Sequence, residues 1–192
     1  LDLSYCALLG TATVANISEH CRAVVHLKIS HIRSYDEGFD AAFTHMAECC
    51  NQVQTLTLEY VQITDASLMA VVQHMKGLVS FEATNCYELR GQGTIQPDPH
   101  AVSQLESLKF KNCSQMVNVM NICQVCPLLR VLDLADCPWI AYGALTHILK
   151  HGINLERLTL NSQKTYGHDL DMIPAGSLPK LSVVDLSSSA IT

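Results

Sequence analysis

A three-residue motif, apolar–any–apolar, recurs along this chain at nearly constant spacing and constrains its fold more than any other feature. Successive copies begin 24 to 29 residues apart, with an average of about 26. Self-similarity at such a period is typical of stacked repeat architectures. We therefore predict a single domain over residues 1–192, built from about eight units. The eight copies are Leu1-Asp2-Leu3, Leu27-Lys28-Ile29, Leu56-Thr57-Leu58, Phe81-Glu82-Ala83, Leu108-Lys109-Phe110, Leu132-Asp133-Leu134, Leu158-Thr159-Leu160 and Val184-Asp185-Leu186.

Two further positions recur with the motif. An apolar residue often lies three positions before it, which gives the composite L-x-x-L-x-L, the signature of leucine-rich repeats. A cysteine lies three positions after it in half of the units, and we expect these small side chains to form a ladder that points inward. The apolar residues are Val53, Leu78, Leu105, Leu129, Leu155 and Leu181, and the cysteines are Cys6, Cys86, Cys113 and Cys137.

Several units continue from the motif into a segment with helical spacing. Apolar residues three, four and seven positions apart form one stripe of an amphipathic helix. Thr64, directly before Asp65, is a candidate N-cap. Strand and helix alternating every 26 residues predict an α/β solenoid with parallel strands on the concave face and helices on the convex face. The stripes are Phe39, Phe43, Met46 and Cys50; Leu68, Val71, Val72 and Met75; and Leu145, Ile148 and Leu149.

Two segments resemble a particular class of leucine-rich repeat. The stretch Cys126-Pro127-Leu128-Leu129-Arg130-Val131-Leu132-Asp133-Leu134-Ala135-Asp136-Cys137-Pro138-Trp139-Ile140 is similar to the cysteine-containing class. The stretch Val61-Gln62-Ile63-Thr64-Asp65-Ala66-Ser67-Leu68 resembles the turn of that class into its helix. The class is typical of F-box (FBXL-type) proteins, the substrate receptors of cullin–RING ubiquitin ligases. The resemblance implies a protein substrate, and a Skp adaptor and a cullin contacted through a region outside this chain.

The pattern is irregular in two units. The fourth runs through residues 90–100 with two prolines and two glycines, and the seventh runs through 163–176; both are predicted to be poor in helix. Variation on the convex side and insertions that bind a partner both remain open for these units. The first residues lack an initiator Met and a signal pattern, so we expect a fragment of a longer chain.

Composition excludes several classes of function. A net charge of −6, with 12 basic residues that form no run, argues against a nucleic-acid binder. The apolar stretches are too short for the roughly 20 residues of a membrane span. An odd number of cysteines, nine, is unlike a closed disulfide set and suits a reducing compartment. We expect a cytoplasmic or nuclear protein that contacts neither nucleic acid nor membrane.

Candidate chemistry in the sequence is weak. Cys123-x-x-Cys126 has the spacing of a metal or redox pair, but a structural zinc site needs four ligands and no second such pair follows. His147 and His151 are four apart without the glutamate of the zinc-protease motif. No phosphate loop, nucleophile elbow or dinucleotide fingerprint is present. We therefore predict no enzymatic activity, no catalytic residue, no cofactor and no metal.

The residue between the two apolar positions of each motif should face the concave surface, because side chains alternate along a strand. The residues two before and two after it, such as His26 and Ser30, should share that face. Tyr5 and Tyr60 follow their strands by one step, with His31 equivalent between them, and Trp139 is either a second anchor or a wedge between repeats. The predicted partner-binding residues are Lys28, Glu82, Lys109, Lys111, Asp133 and Arg157 in the row, and Tyr5 and Tyr60 at its rim.

Two functions fit this sequence. The first is the substrate-recognition domain of an F-box-type ubiquitin ligase, as the resemblance implies. The second is a leucine-rich repeat scaffold within a stable complex that has no connection with ubiquitin. Both are protein–protein interaction modules, and the sequence does not identify the partner of either.

Overall fold

A computed structural model describes residues 1–6, 10–32, 38–92, 103–119, 122–140, 144–161, 176 and 178–188. Eight strands form one parallel sheet in which spatial order follows chain order, and five helices lie among the described residues. The strands are β1 (Asp2–Leu3), β2 (His26–Ser30), β3 (Thr55–Glu59), β4 (Ser80–Thr84), β5 (Ser107–Lys111), β6 (Val131–Asp133), β7 (Arg157–Thr159) and β8 (Val183–Asp185). The helices are α1 (Thr11–His20), α2 (Phe39–Cys49), α3 (Asp65–His74), α4 (Ile122–Val125) and α5 (Ala144–His151).

The repeat register predicted from the sequence is confirmed by the strand pairing. The middle residues of the eight motifs pair in order: Asp2, Lys28, Thr57, Glu82, Lys109, Asp133, Thr159 and Asp185. The apolar residues on either side of them point the other way, so that β3, β4 and β5 each bury their second and fourth residues. Strand alternation alone accounts for this pattern.

The helices cover the buried side of the sheet. α1 packs on α2, α2 on α3, and α4 on α5, so these helices contact the helix of a neighbouring unit. α2 buries Phe39, Phe43 and Met46, the stripe expected from the sequence, and Cys50 at its end is also buried. The predicted N-cap is present, because the Thr64 hydroxyl accepts a hydrogen bond from the Ala66 N–H at 3.2 Å.

The ladder of inward groups is formed by Ile32, Val61, Cys86, Cys113 and Cys137, all of which are at most 1% exposed. The thiols of Cys113 and Cys137 lie 3.5 and 3.4 Å from backbone carbonyls of the preceding repeats, those of Ala83 and Phe110. A thiol is a small apolar group with a weak donor, so it fills the interior and satisfies a carbonyl. Cys6 does not follow the ladder, because it is exposed in the first unit.

A second recurrent position has a left-handed backbone. Every non-glycine residue with positive φ among the described residues lies two positions after a motif: Tyr5, His31, Tyr60, Asn85, Asn112, Asp136 and Ser188, with φ between 51° and 59°. This conformation turns the chain out of the strand. It also aims the N–H at the next repeat, since Tyr60 donates to the Thr84 carbonyl at 3.0 Å and Asn85 to the Lys111 carbonyl at 2.9 Å.

The two irregular units fall mainly on residues 93–102 and 162–175, which lie outside the described residues. No helix occurs between β4 and β5, or between β7 and β8, within the described part of the chain. For one helix, α1, the sequence showed no apolar stripe. α1 begins after Gly10, which provides no side-chain cap, and it buries only two apolar side chains, Val14 and Ile17.

Candidate functional site on the exposed sheet face and its carboxyl edge

The exposed face of the sheet carries the predicted row of polar side chains. Lys28, Glu82, Lys109 and Asp133 are partly exposed in the middle of their strands, and Arg157 is exposed at the start of β7. Ser30, expected on this face, is instead fully buried. Its hydroxyl accepts a hydrogen bond from the Tyr5 N–H at 3.2 Å and lies 3.1 Å from Nδ1 of His31.

Lys109 and Lys111 share one carboxylate. Glu82 Oε1 lies 3.0 Å from Lys111 Nζ, and Glu82 Oε2 lies 3.8 Å from Lys109 Nζ. The three side chains are between 27% and 38% exposed, so water screens the pairing only in part. The sequence indicated only that the two lysines form a positive spot beside Glu82. The structure joins the three into a triad with a net charge of +1.

A polar groove of about 450 Å³ brings four of the predicted residues together. Its lining combines cationic, anionic and hydroxyl groups from β5, β6, β7 and the start of β8. The lining residues are Ser107, Lys109, Lys111, Val131, Asp133, Glu156, Arg157, Thr159, Ser182 and Val183. Asp133 is fixed in this groove, because its Oδ1 accepts the Ala135 N–H at 3.0 Å.

Glu156 lines the same groove and was not predicted from the sequence. Arg130 donates two hydrogen bonds of 2.9 Å to the Glu156 carboxylate, and a third nitrogen of Arg130 lies 3.4 Å from Oε2 of Glu106. The hydrogen bond from Arg130 lowers the pKa of Glu156, and the same contact raises the pKa of Arg130. Arg130 therefore links three neighbouring repeats by ion pairs at the amino edge of the sheet.

The two predicted rim tyrosines belong to one aromatic stack. The Tyr5 and His31 rings have centroids 4.9 Å apart, and the His31 and Tyr60 rings 4.8 Å apart. Tyr5 is 77% exposed and Tyr60 is 43% exposed. These distances fall in the range of offset aromatic stacking. The sequence indicated that the three residues occupy equivalent positions, but it gave no contact between them.

Tyrosine is an unusual residue for this backbone position. Asparagine and aspartate adopt positive φ readily, and they occupy the position at Asn85, Asn112 and Asp136. A bulky residue in the left-handed region costs on the order of 1–3 kcal/mol. Tyr5 and Tyr60 therefore both carry a local cost that an asparagine would avoid.

A second groove opens where this stack ends. It has a volume of about 380 Å³ and lies at the carboxyl edge of β3 and β4. Tyr87, 42% exposed, lines this groove together with Tyr60, and its hydroxyl lies 3.2 Å from Oδ1 of Asn85. Tyr87 was not predicted from the sequence, because it follows the recurrent left-handed position by two residues. The lining residues are Ile32, Tyr60, Val61, Gln62, Asn85, Tyr87 and Glu88.

Lys28 is separate from both grooves, since it lines neither. It lies beside Asp2 in the strand register and forms no ion pair within the described residues. Trp139 is 55% exposed in the turn after β6, so it is not a wedge buried between repeats.

The cysteines and histidines singled out in the sequence form no group of three or more metal-ligand residues within the described ranges. Burial raises the pKa of Cys123 to about 12 and that of Cys126 to about 11, so both are neutral thiols in the core. The His147 and His151 rings lie 4.3 Å apart, and burial lowers the pKa of His147.

The fold defines a class of protein, the leucine-rich repeat solenoid. No protein-family model matches the chain. F-box/LRR-repeat protein 4 of Bos taurus is 24% identical over 170 residues, which cover 86% of this chain and 27% of that protein. Rad7, in the structure of its complex with Elc1 in yeast, superposes with a TM-score of 0.63 at 17% identity, covering 91% of this chain and 46% of that chain.

This chain is thus a leucine-rich repeat domain that resembles those of F-box/LRR-repeat proteins. It spans about a quarter of the length of the curated relative that it matches. No helix in the described part of the chain is long and apolar enough to cross a membrane.

Proposed function

We propose that this chain is a protein-binding module, the substrate-recognition domain of an F-box-type cullin–RING ubiquitin ligase. The observation that carries the proposal is the exposed sheet face, where a continuous polar row over eight strands leads to a groove of about 450 Å³ lined by charged side chains. The similarity to an F-box/LRR-repeat protein supports the connection with ubiquitin ligases.

The exposed sheet face would bind complementary charges of the partner, and the tyrosines at its rim would supply contact area. Lys109, Lys111 and Arg157 offer donors, and Asp133 offers an acceptor, within one groove. Complementary charges chiefly set the association rate and the specificity of a protein complex. Tyr5 and Tyr60 add large rigid side chains, which lose little conformational entropy on binding. Lys28 and Glu82 would contribute to the charge pattern of the row rather than to a pocket.

The role proposed here is binding and not catalysis. Cys86, Cys123 and Cys126 are buried, and burial raises the pKa of Cys86 to about 12, so these thiols are poor nucleophiles near neutral pH. All nine cysteines are free, which fits a cytoplasmic or nuclear location. The partner would be a protein substrate, with a Skp adaptor and a cullin held by a region outside this chain.

Affinity purification of the full-length protein tests this proposal. We expect a Skp adaptor and a cullin to be recovered together with one or more substrate proteins. A double variant, Lys109→Glu with Lys111→Glu, should lose substrate while it retains adaptor and cullin, because the adaptor would bind elsewhere. Recovery of a stable assembly without adaptor or cullin would reject the ligase assignment and favour the scaffold function.

The charge reversal at Lys109 and Lys111 needs a matched control. Replacing both lysines with glutamate places two new carboxylates beside that of Glu82, and the repulsion among the three affects local stability as well as binding. Lys109→Gln with Lys111→Gln removes the positive charge without that repulsion. Both double variants should lose substrate, and each must first show the cooperative melting of the native protein.

A further inference from the structure

We infer that the groove lined by Tyr60 and Tyr87, at the carboxyl edge of β3 and β4, binds an arginine side chain of a protein partner. The inference deepens the proposed function and rests on it, because it names the chemistry of a partner segment that docks beside the charged row. It concerns a second groove, which shares no lining residue with the polar groove of the sheet face.

The aromatic stack is interrupted after Tyr60. Rings occupy the recurrent left-handed position in three successive repeats, at Tyr5, His31 and Tyr60, and contact one another. The fourth repeat has Asn85 at that position, and the groove of about 380 Å³ lies there. A planar group that entered the groove against Tyr60 would continue the stack by one member.

The two stacked tyrosines, Tyr5 and Tyr60, adopt a backbone conformation with positive φ that costs free energy. Asparagine would avoid the cost of positive φ, and other repeats of this chain do use asparagine at the position. Strained residues persist where the surrounding structure enforces them, and they concentrate at binding sites. Stacking with His31 offsets part of the cost at both tyrosines, yet both rings still expose much of their surface.

Two carboxylates without an ion-pair partner in the part of the chain that the structure describes lie in or beside the groove. Glu88 lines the groove and is exposed, and it forms no ion pair with any other described residue. Glu59, directly before Tyr60, likewise has no ion-pair partner in the described ranges. Two aromatic rings with a nearby carboxylate favour a cation, because the ring face is negative.

Arginine fits these features better than lysine. Its guanidinium is planar and stacks on aromatic faces, and it forms forked hydrogen bonds with carboxylates, whereas the lysine ammonium is a compact, strongly hydrated charge. The amide of Gln62 lines the same groove and offers a further acceptor. Small-ligand pockets begin at about 300 Å³, so the groove is large enough for one side chain.

The test uses a hexa-arginine peptide as the probe, with hexa-lysine and hexa-citrulline as comparisons. Citrulline has nearly the shape of arginine without the charge. Backbone amide shifts of Gln62, Asn85 and Glu88 locate the binding, and titration gives the dissociation constant. We expect hexa-arginine to bind at these residues, hexa-lysine to bind several-fold more weakly, and hexa-citrulline to bind at least about tenfold more weakly.

Two variants and two matched controls decide the site. Tyr60→Asn and Glu88→Gln should each weaken hexa-arginine binding by about fivefold. Tyr60→Asn introduces the residue that already occupies this backbone position at Asn85, so the fold should be retained; if it is not, Glu88→Gln decides alone. Ile153→Asn removes an exposed apolar side chain at the opposite edge, and Glu19→Gln removes a distant exposed charge; both should bind normally.

Normal binding by both Tyr60→Asn and Glu88→Gln, or equal binding of hexa-citrulline, would overturn the inference. The outcome is separable from that of the proposed function. Loss of adaptor and cullin from the purified full-length protein rejects the ligase assignment whatever the peptide does. Failure of the peptide to bind at Gln62 and Glu88 rejects the arginine site even where adaptor and substrate are recovered.

Discussion

Replacement of Leu134 tests the repeat register on which every surface assignment depends. Leu134 is 0% exposed and belongs to the single hydrophobic core that runs through the described units. Leu134→Ala replaces a buried isobutyl side chain with a methyl group, and such changes cost about 2–5 kcal/mol because a cavity remains. In a domain of this size each kcal/mol lowers the melting temperature by about 2–4 °C.

We therefore expect Leu134→Ala to lower the melting temperature by roughly 4–20 °C, measured by circular dichroism at fixed pH and salt. Leu134→Asp should be more severe, because it buries an unpaired carboxylate. The matched control is the adjacent residue on the opposite face. Asp133→Asn keeps an oxygen that can accept the Ala135 N–H and should change the free energy of unfolding by about 0.5 kcal/mol or less.

Asp133→Ala is a poorer control, because it removes the acceptor of that N–H and should cost up to about 1 kcal/mol. A Leu134→Ala protein that melts with the native one, or an Asp133→Asn protein that loses as much as Leu134→Ala, would refute the register. Either result would mean that the alternation of buried and exposed residues in β6 differs from that described here.

Three further predictions follow from particular contacts. Tyr60→Asn should change the melting temperature by no more than about 4 °C in either direction, since relief of the left-handed strain opposes the loss of stacking with His31; a cooperative loss of structure would show that the stack is essential to the fold. Cys137→Ala should cost on the order of 1 kcal/mol by leaving a small cavity, whereas chelator and reductant should not shift the melting curve. Arg130→Ala should return the pKa of Glu156 upward to its ordinary range in an NMR titration. Arg130 lowers the pKa of Glu156 in the folded protein, so the contact stabilises the fold at a pH above the pKa of glutamate in the unfolded chain. This stabilisation is lost as the pH falls through the pKa of Glu156 in the folded protein. The native and Arg130→Ala proteins should therefore differ less in stability at low pH.

The repeat pattern was sufficient to predict the strands and their register. Leu56 and Leu58 are buried and Thr57 is not, and this follows from strand alternation alone. The helix stripe of α2 was equally readable, because Phe39, Phe43 and Met46 recur at helical spacing. α1 was not readable, since it carries two buried apolar residues and no capping side chain.

The candidate site was only partly predictable. The row of middle residues follows from the motif, so Lys109 and Asp133 could be placed on the exposed face. Ser30 satisfies the same rule, yet it is buried beneath Tyr5 and His31. No spacing rule reveals the sharing of Glu82 by two lysines, since that contact depends on side-chain rotamers across two neighbouring strands.

The aromatic stack depends on a left-handed backbone conformation that the residues Tyr5, His31 and Tyr60 do not indicate by themselves. Left-handed φ is ordinarily signalled by glycine, asparagine or aspartate, and tyrosine is a poor indicator of it. Asn85, Asn112 and Asp136 do carry that signal at the same repeat position. The repeat alignment places Tyr5, His31 and Tyr60 at this same position, but it does not show that the left-handed backbone brings the three rings into contact.

Binding of the partner recovered from the full-length protein, measured by interferometry with folded variants, tests the central claim most directly. The exposed face and its aromatic rim are predicted to carry the binding. Lys109→Gln with Lys111→Gln should therefore slow association and reduce its dependence on salt, and Tyr60→Asn should weaken the complex, whereas the helix variants Gln73→Ala and Lys150→Ala should bind as the native protein does. Normal binding by the face and rim variants, together with loss of binding when residues 91–100 are changed, would contradict the account and assign recognition to that segment.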